Sequence, residues 1–414
     1  MMVAMAAAPT PLRVRVPAPD LARGFALLGI GIANAGLFLA GRPLGPSYRP
    51  VDGSGADRAA DVAAALFVDN RSYPLFALLL GYAAAQLWAR DPSPADFRPG
   101  AARLLNRRAI ALLVLGALHG VLLYDGDILG AYAVLTFLLP YALAATGRTL
   151  LVVGALGLLP LAVFGGFDGL AYGLDGIDPA AAAGTYPAAV AARAQDWLAT
   201  MALSPLLVLA FLPAALLGVL AARRRVLDEP AAHRRLLRAV AGWGIAAGVL
   251  GGVPLALTSA RLVEFPETAD YLVGVLHSVT GLAGAAGYAA LAGLLATGLL
   301  SPPLRLVAAA GAVSLSSYLA QSVAFLLLFA PYLGGLGTRL GTAGAALIAL
   351  GVWLVLLVPA ALLRRAGRRG PAEALVRWWV YRSQPSVDQP SDDQRTGGSG
   401  PSTDVQGRDR NSVT

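Results

Sequence analysis

Three ionisable residues lie within nine positions of one another in the apolar stretch GALHGVLLYDGDILGAYAVL, residues 116–135: His119, Asp125 and Asp127. An ionisable group inside a membrane span costs a few kcal/mol or more, so it usually faces the interior of a helix bundle or a watery cavity. His119 is therefore a functional candidate. The alternative is a neutral histidine that only hydrogen-bonds a neighbouring helix.

The two aspartates flank Gly126, and Asp-Gly is common turn chemistry. We expect Asp125 and Asp127 to form a tight turn outside the lipid, with a purely structural role as the alternative. At a rise of 1.5 Å per helical residue, His277 is expected about 9 Å and His119 about 7 Å from the same membrane surface. The two histidines are therefore expected at a similar depth. The third histidine, His233, is expected in a solvated connection.

Other polar residues within apolar segments are candidates for lining a cavity. The spacing of three and four places Ser314, Ser317, Tyr318 and Gln321 near one face of a helix. Gln321 and Asn34 are expected to hydrogen-bond between helices rather than hold a ligand. Asp20 and Arg23, three residues apart, are expected to pair on one side of the first helix.

The elements that must position these residues are membrane helices. The chain has 414 residues, of which 57% are hydrophobic and 14% charged, and its mean hydropathy is +0.64. An ordinary globular protein is about 25% charged, and a helix needs roughly 20 apolar residues to cross a bilayer. The pattern predicts an all-α polytopic membrane bundle of about ten helices, at residues 24–40, 73–89, 108–124, 128–145, 150–165, 201–221, 237–257, 271–298, 304–330 and 342–363.

Arginine-rich connections alternate with acidic or nearly neutral ones along the chain. The basic ones lie near residues 90–108, 223–238 and 364–369, and such connections are usually cytoplasmic. We therefore expect a multi-pass membrane protein with both termini in the cytoplasm. Residues 1–23 are predicted as a cytoplasmic segment, residues 24–382 as the helical domain, and the polar residues 383–414 as a disordered cytoplasmic tail.

Composition excludes several kinds of chemistry. The chain has no cysteine, and all 32 basic residues are arginine. Disulfides, thiolate nucleophiles, Schiff-base lysines and a phosphate-loop lysine are thus absent. The net charge of +8 lies mostly beside apolar spans, which favours membrane anchoring over nucleic-acid binding. No metal cluster or dinucleotide fingerprint is evident.

Five ordered motifs resemble the YeiB family of bacterial inner-membrane proteins, whose later part is domain-of-unknown-function family 418. They are PDLARGFALLGIGIAN (19–34), RSYPLFALLLGY (71–82), the stretch at 116–135, AGAVSLSSYLAQS (310–322) and GPAEALVRWWVY (370–381). Ala22, Ser317 and Ala374 depart from the usual family residues at their positions. The resemblance covers about nine tenths of the chain and implies a membrane bundle of the same type.

The family resembles, distantly, transmembrane acyltransferases that move an acyl group from cytoplasmic acyl-CoA to a sugar on the far side. By that resemblance His119 is the general base, with Asp127 orienting its ring. The important histidine of one such enzyme lies in its first loop, and the matching loop here, residues 41–70, has none. Candidate cofactor-binding residues are Asp20, Arg23 and Asn34; candidate substrate-binding residues are Arg71, Asp125, His277, Ser317, Tyr318 and Gln321.

Three functions remain open on the sequence. The first is an acyltransferase that uses acyl-CoA and acts on an envelope glycan, lipid or metabolite. The second is a transporter or exporter of a small molecule. The third is a non-enzymatic assembly partner in the membrane, with the tail as its docking site. The sequence does not fix the substrate or the oligomeric state.

Overall fold

The computed structural model describes residues 16–94, 98–172 and 178–382, and these residues form helices with no β-strand beyond one isolated bridge between Leu44 and Pro50. The predicted tail at 383–414 and most of the predicted N-terminal segment lie outside the described residues. The all-α class is confirmed. The helices are α1 Pro17–Leu37, α2 Gly55–Phe67, α3 Ser72–Ala89, α4 Pro99–Leu122, α5 Leu129–Ala144, α6 Gly147–Leu156, α7 Leu158–Gly166, α8 Pro179–Ala182, α9 Tyr186–Arg223, α10 Arg234–Ser259, α11 Glu267–Leu295, α12 Pro302–Ala312, α13 Ser314–Phe329, α14 Thr342–Arg365 and α15 Pro371–Tyr381.

Six helical segments of the described chain are long and apolar enough to cross a membrane, and the bent pair α12–α13 makes a seventh if it counts as one span. The six are α4, the joined α6 and α7, α9, α10, α11 and α14. Helix α5 is apolar but shorter, with 16 residues. A multi-pass membrane protein is supported, whereas the count of about ten spans is not confirmed.

The helices pack through many small apolar residues and leucines, and several large apolar side chains also face outward. Helix α10 packs along α11, α3 along α9, α4 along α5, and α1 against α12 and α14. Leu250, Leu347 and Val355 are each about 70% exposed on the outside of their helices. Such side chains would be costly in water, and they suit an environment of lipid tails.

The predicted continuous helix at 304–330 is wrong, because the chain turns by 87° between α12 and α13 at Val313. The turn leaves the first backbone N–H groups of α13 without partners in their own helix. Glu373 of α15 replaces those partners: its Oε1 accepts from the N–H groups of Leu315 and Ser316 at 2.8 and 3.2 Å. A carboxylate at a helix N-terminus also suits the helix dipole.

The bundle has two ends that carry different residues. The start of α1, the end of α3, the first half of α4 and helix α15 lie around one cavity rich in arginine, and we call this end the arginine face. The other end, which we call the opposite face, contains the connections after α1 and α4 together with Asp178 and Tyr332. His119 lies near the end of α4 that reaches the opposite face.

Candidate functional site

Each ring nitrogen of His119 lies within hydrogen-bonding distance of one side chain. Its Nδ1 lies 2.9 Å from Asp127 Oδ1 and its Nε2 lies 2.8 Å from Ser322 Oγ. An ionised carboxylate only accepts, so Nδ1–H donates to Asp127; when the ring is neutral, Nε2 accepts from the Ser322 hydroxyl, which also lies 3.4 Å from Tyr318 O. All three residues are buried, with 1%, 6% and 2% exposure. This order of carboxylate, imidazole and hydroxyl is the one that activates a hydroxyl for attack.

Asp127 is buried within the bundle, although it lies at the turn that the sequence predicts. The chain does turn at Gly126, but it then directs the carboxylate inward to the start of α5. Asp127 Oδ1 and Oδ2 accept from the N–H groups of Leu129 and Gly130 at 3.1 and 2.8 Å. These bonds satisfy donors that every helix start leaves unpaired, which is what a Ser, Asp or Asn cap does. The same cap thereby positions the carboxylate against His119.

Close contact between α4 and α5 requires a glycine one turn before His119. A Cβ at Gly116 would lie 2.7 Å from Asp127 Oδ2 and 2.7 Å from the backbone nitrogen of Gly130. No side chain fits in that space without moving α5 or the carboxylate. The glycine in the 116–135 motif is therefore needed for the contact between His119 and Asp127.

A cavity of about 380 Å³, which we call the vestibule, lies at the arginine face. Asp20 and Arg23 line it, and their side chains form the pair expected from their spacing, with 3.1 Å between Arg23 Nη1 and Asp20 Oδ1. Four further arginines contribute to its wall, together with Asp228 and Glu373: Arg90, Arg108, Arg369 and Arg377. The vestibule thus carries more positive than negative charge, which favours an anionic ligand.

A narrower cavity of about 100 Å³, the channel, adjoins the vestibule. The two share Arg23, Arg108 and Ser314 in their walls. Apart from these residues the channel is lined mostly by apolar side chains, and it extends to Ile128 and Tyr318. The ring of Tyr318 lies 4.8 Å, centroid to centroid, from the imidazole of His119. Two neighbouring cavities with shared wall residues therefore lie between the arginine face and Tyr318, while His119 itself lies behind that ring.

A second buried polar cluster forms around Arg71, which is only 1% exposed. Its Nη1 lies 3.0 Å from His277 Nε2, and its guanidinium also donates to the carbonyl oxygens of Asp69 and Gly248. His277 is thus a partner of Arg71, and it shares no hydrogen-bond partner with His119. The pair, both candidate substrate-binding residues, lines neither the vestibule nor the channel.

The Arg71 side chain passes between α10 and α11 where both helices have glycine. A Cβ at Gly252 would lie 2.8 Å from Arg71 Nη2, and one at Gly284 would lie 3.2 Å from Arg71 Cγ. A buried cation in a membrane protein needs polar partners at its own depth. Because glycine has no side chain, Gly252 and Gly284 leave a space between the two helices, which we call the slot. Within this slot the guanidinium reaches backbone oxygen.

The structure does not bring the remaining predicted residues into the cavity. Asn34 accepts hydrogen bonds from the hydroxyls of Tyr73 and Tyr124, away from the vestibule that Asp20 and Arg23 line. Gln321 Nε2 donates to Leu27 O at 3.2 Å, as expected of an interhelical hydrogen bond. Ser317 is buried on α13 and lines neither the vestibule nor the channel.

Asp125, unlike Asp127, stays at the opposite face. It lies near Asp178 and Asp196, with one carboxylate oxygen from each within 4.8 Å of the others. Burial, and after it the charge of Asp125, raises the pKa of Asp178 from 3.8 to about 7. Carboxylate oxygens are ligands that hard cations prefer, so these three residues are the metal-ligating set that the described chain offers.

Sequence reasoning missed two functional positions on α13 and α15. Ser322 stands four residues after Tyr318 in the quoted motif, and the same helical spacing that grouped its neighbours would have included it. Glu373 belongs to the Gly-Pro-x-Glu motif at 370–373, but no local pattern shows that its carboxylate caps a helix 58 residues earlier in the chain.

Comparison with known proteins agrees with the family resemblance. Residues 221–383, which contain α10 to α15, match the family described as "Protein of unknown function (DUF418)". The chain is also similar to "Uncharacterized protein YxaH" of Bacillus subtilis (strain 168), with 27% identity over 403 residues that cover 91% of this chain and 95% of the relative. No solved structure matches the chain. The resemblance to domain-of-unknown-function family 418 is thereby confirmed for residues 221–383.

Proposed function

We propose that this membrane protein with a DUF418 region is an acyltransferase that takes its acyl group from an acyl-CoA bound at the arginine face. The observation that carries the proposal is that the vestibule and the channel share wall residues and that the channel reaches Tyr318, behind which His119 is hydrogen-bonded to Asp127. Arginines suit the phosphates of the donor, and the apolar channel suits its pantetheine arm and acyl group.

His119 acts as the general base in this proposal. Asp127 fixes the tautomer with the proton on Nδ1, which leaves Nε2 free of a proton and directed at a hydroxyl. Removal of a proton from a hydroxyl by a positioned base contributes about 10² to 10⁴-fold to a rate. The acceptor class is a hydroxyl-bearing envelope glycan, lipid or metabolite.

The proposed location is the bacterial plasma membrane, with the arginine face in the cytoplasm, where acyl-CoA is found. The arginine-rich connections support this orientation. Since the native chain has no cysteine, single cysteines at Arg368, which is exposed beside the vestibule residue Arg369, and at Glu264 in the connection between α10 and α11 can be labelled without background. A membrane-impermeant maleimide added to whole cells should label position 264 and not position 368; the reverse labelling would refute the orientation.

The test of activity uses the full-length protein in liposomes of bacterial phospholipid with radiolabelled acetyl-CoA. Release of the free CoA thiol and appearance of label in the lipid or polar extract are measured together. We expect His119→Gln to lose transfer by about 100-fold or more, and His233→Gln, which alters a histidine outside both cavities, to behave as the native chain. Equal turnover by His119→Gln and native protein would refute the proposal.

A transporter is the second candidate, and the break between α12 and α13 favours it. Helices interrupted at membrane depth mark the binding sites of many secondary transporters, and Ser314 at this break lines both cavities. Expression-dependent uptake or efflux by vesicles, with neither thiol release nor acylated product, would select this function over acyl transfer.

A further inference from the structure

We infer that Ser322 is a nucleophile that carries the acyl group as an ester between donor and acceptor. The inference rests on the proposed acyl transfer and adds a covalent step to it. The observation is that the hydroxyl at His119 Nε2 belongs to the protein: Ser322 Oγ lies 2.8 Å away, while the other ring nitrogen is held by Asp127 at 2.9 Å. The base therefore faces a protein hydroxyl as its nearest source of a proton.

The arrangement is rigid and dry, which suits an activated serine. The side chains of His119 and Asp127 have no solvent exposure, and Ser322 as a whole is 2% exposed. The carboxylate is fixed by two backbone N–H groups at the start of α5. A base whose partners are ordered before the reaction needs no reorganisation during it.

Helix α13 leads from the channel to this serine. Ser314, Leu315 and Tyr318 line the channel, and Ser322 follows Tyr318 by four residues, which places it on the same side of the helix one turn further. The channel stops at the ring of Tyr318, which also contacts His119.

The chemistry balances in two steps. In the first, Ser322 Oγ attacks the carbonyl carbon of the acyl thioester, the carbon–sulfur bond breaks, and His119 passes the serine proton to the departing thiolate. In the second, the acceptor hydroxyl attacks the ester carbon, His119 takes its proton, and that proton returns to Ser322 Oγ as the ester bond breaks. The net reaction transfers one acyl group from the thioester to the acceptor, and the serine is regenerated.

In a purely structural role, Ser322 would only link α13 to α4 through its hydrogen bond with His119. Two variants separate the roles. Ser322→Ala removes both the link and the nucleophile, whereas Ser322→Cys keeps a nucleophile of similar size. Ser204→Ala is the matched control, because Ser204 is also a buried helical serine, 3% exposed, and its hydroxyl bonds only to Met201 O within its own helix.

The experiment incubates full-length protein in lipid nanodiscs with radiolabelled acetyl-CoA, quenches it in acid, and locates label by mass spectrometry of peptides from α13. We expect an ester on Ser322 in the native chain and in Ser204→Ala, no ester and no transfer in Ser322→Ala, and a hydroxylamine-sensitive thioester in Ser322→Cys. Transfer by Ser322→Ala at the native rate, or turnover by the native chain with no ester on Ser322 at any quench time, would overturn the inference while leaving acyl transfer intact. Absence of any turnover by the native chain would overturn both.

Discussion

His119 Nδ1 lies 2.9 Å from Asp127 Oδ1, and the same carboxylate caps the start of α5. One aspartate thus ends a turn, starts a helix and orients an imidazole. Because the backbone N–H groups of Leu129 and Gly130 hold both carboxylate oxygens, the imidazole is positioned by helix geometry rather than by a mobile side chain.

Replacement of Asp127 by asparagine should distinguish the orientation of the His119 imidazole from the capping of α5. The amide oxygen still accepts from a backbone N–H, but the amide cannot accept at both positions as the carboxylate does, so the tautomer of His119 is no longer fixed. We expect acetyl transfer to fall by about 10² to 10⁴-fold, with a change in thermal unfolding of a few degrees at most. Rates of thiol release and the unfolding temperature in detergent are the two measurements.

Asp125→Asn is the matched control for that variant, since Asp125 lies two residues away and does not touch His119. A similar loss of transfer in both variants would show that activity depends on the turn and not on the contact between Asp127 and the imidazole.

The vestibule arginines should govern affinity for the donor. Arg108 lines both vestibule and channel, so Arg108→Gln is expected to raise the KM for acetyl-CoA about tenfold, with a smaller effect on kcat, because a charge-assisted contact to phosphate contributes about 1.5 to 3 kcal/mol. Arg305→Gln alters an exposed arginine that lines neither cavity and should leave KM unchanged. Initial rates over a range of acetyl-CoA concentrations would decide; equal KM values for the two variants would argue against the vestibule as the donor site.

Gly252 should be intolerant of any side chain. A Cβ there would lie 2.8 Å from Arg71 Nη2 and 2.8 Å from the backbone oxygen of Ala65, so Gly252→Ala forces a shift of a buried charge or of backbone. We expect a loss of about 1 to 3 kcal/mol in the free energy of unfolding. Gly242→Ala, on the same helix with nothing within 4 Å, should be neutral or stabilising. Thermal unfolding of both variants in one detergent gives the comparison, and equal unfolding temperatures would contradict the slot described for Arg71.

Asp178 should make stability depend on pH at the opposite face. Its pKa in the folded protein is about 7, against 3.8 ordinarily, because of burial and then of Asp125. The folded chain therefore keeps a proton that the unfolded chain releases, so the stabilisation is complete below about pH 4 and is lost as the pH rises toward 7. Relative to the native chain, Asp178→Asn should gain a few degrees of unfolding temperature between pH 5 and pH 8. A constant difference over that range would contradict the prediction; Asp52→Asn, at an exposed carboxylate, is the control.

Much of the fold and part of the candidate site could be predicted from the sequence, because apolar runs, arginine-rich connections and helical spacing are local patterns. They indicated the membrane bundle, the pairing of Asp20 with Arg23, and the interhelical role of Gln321. The bend at Val313 could not be predicted in this way, since the partner that makes it tolerable, Glu373, lies far along the chain. The burial of the Asp127 carboxylate could not be predicted for a related reason: the turn was recognised, but the direction of the carboxylate depends on how closely α4 and α5 approach.

The slot that holds Arg71 constrains how the chain enters the membrane during its synthesis. Arg71 precedes α3, whereas two of its partners, Gly248 and His277, belong to α10 and α11 and are made 177 and 206 residues later. Until then the carbonyl oxygen of Asp69 is the one member of this set that the guanidinium can reach. The surroundings of Arg71 are therefore complete only after α10 and α11 have been inserted, so the second half of the bundle completes the first.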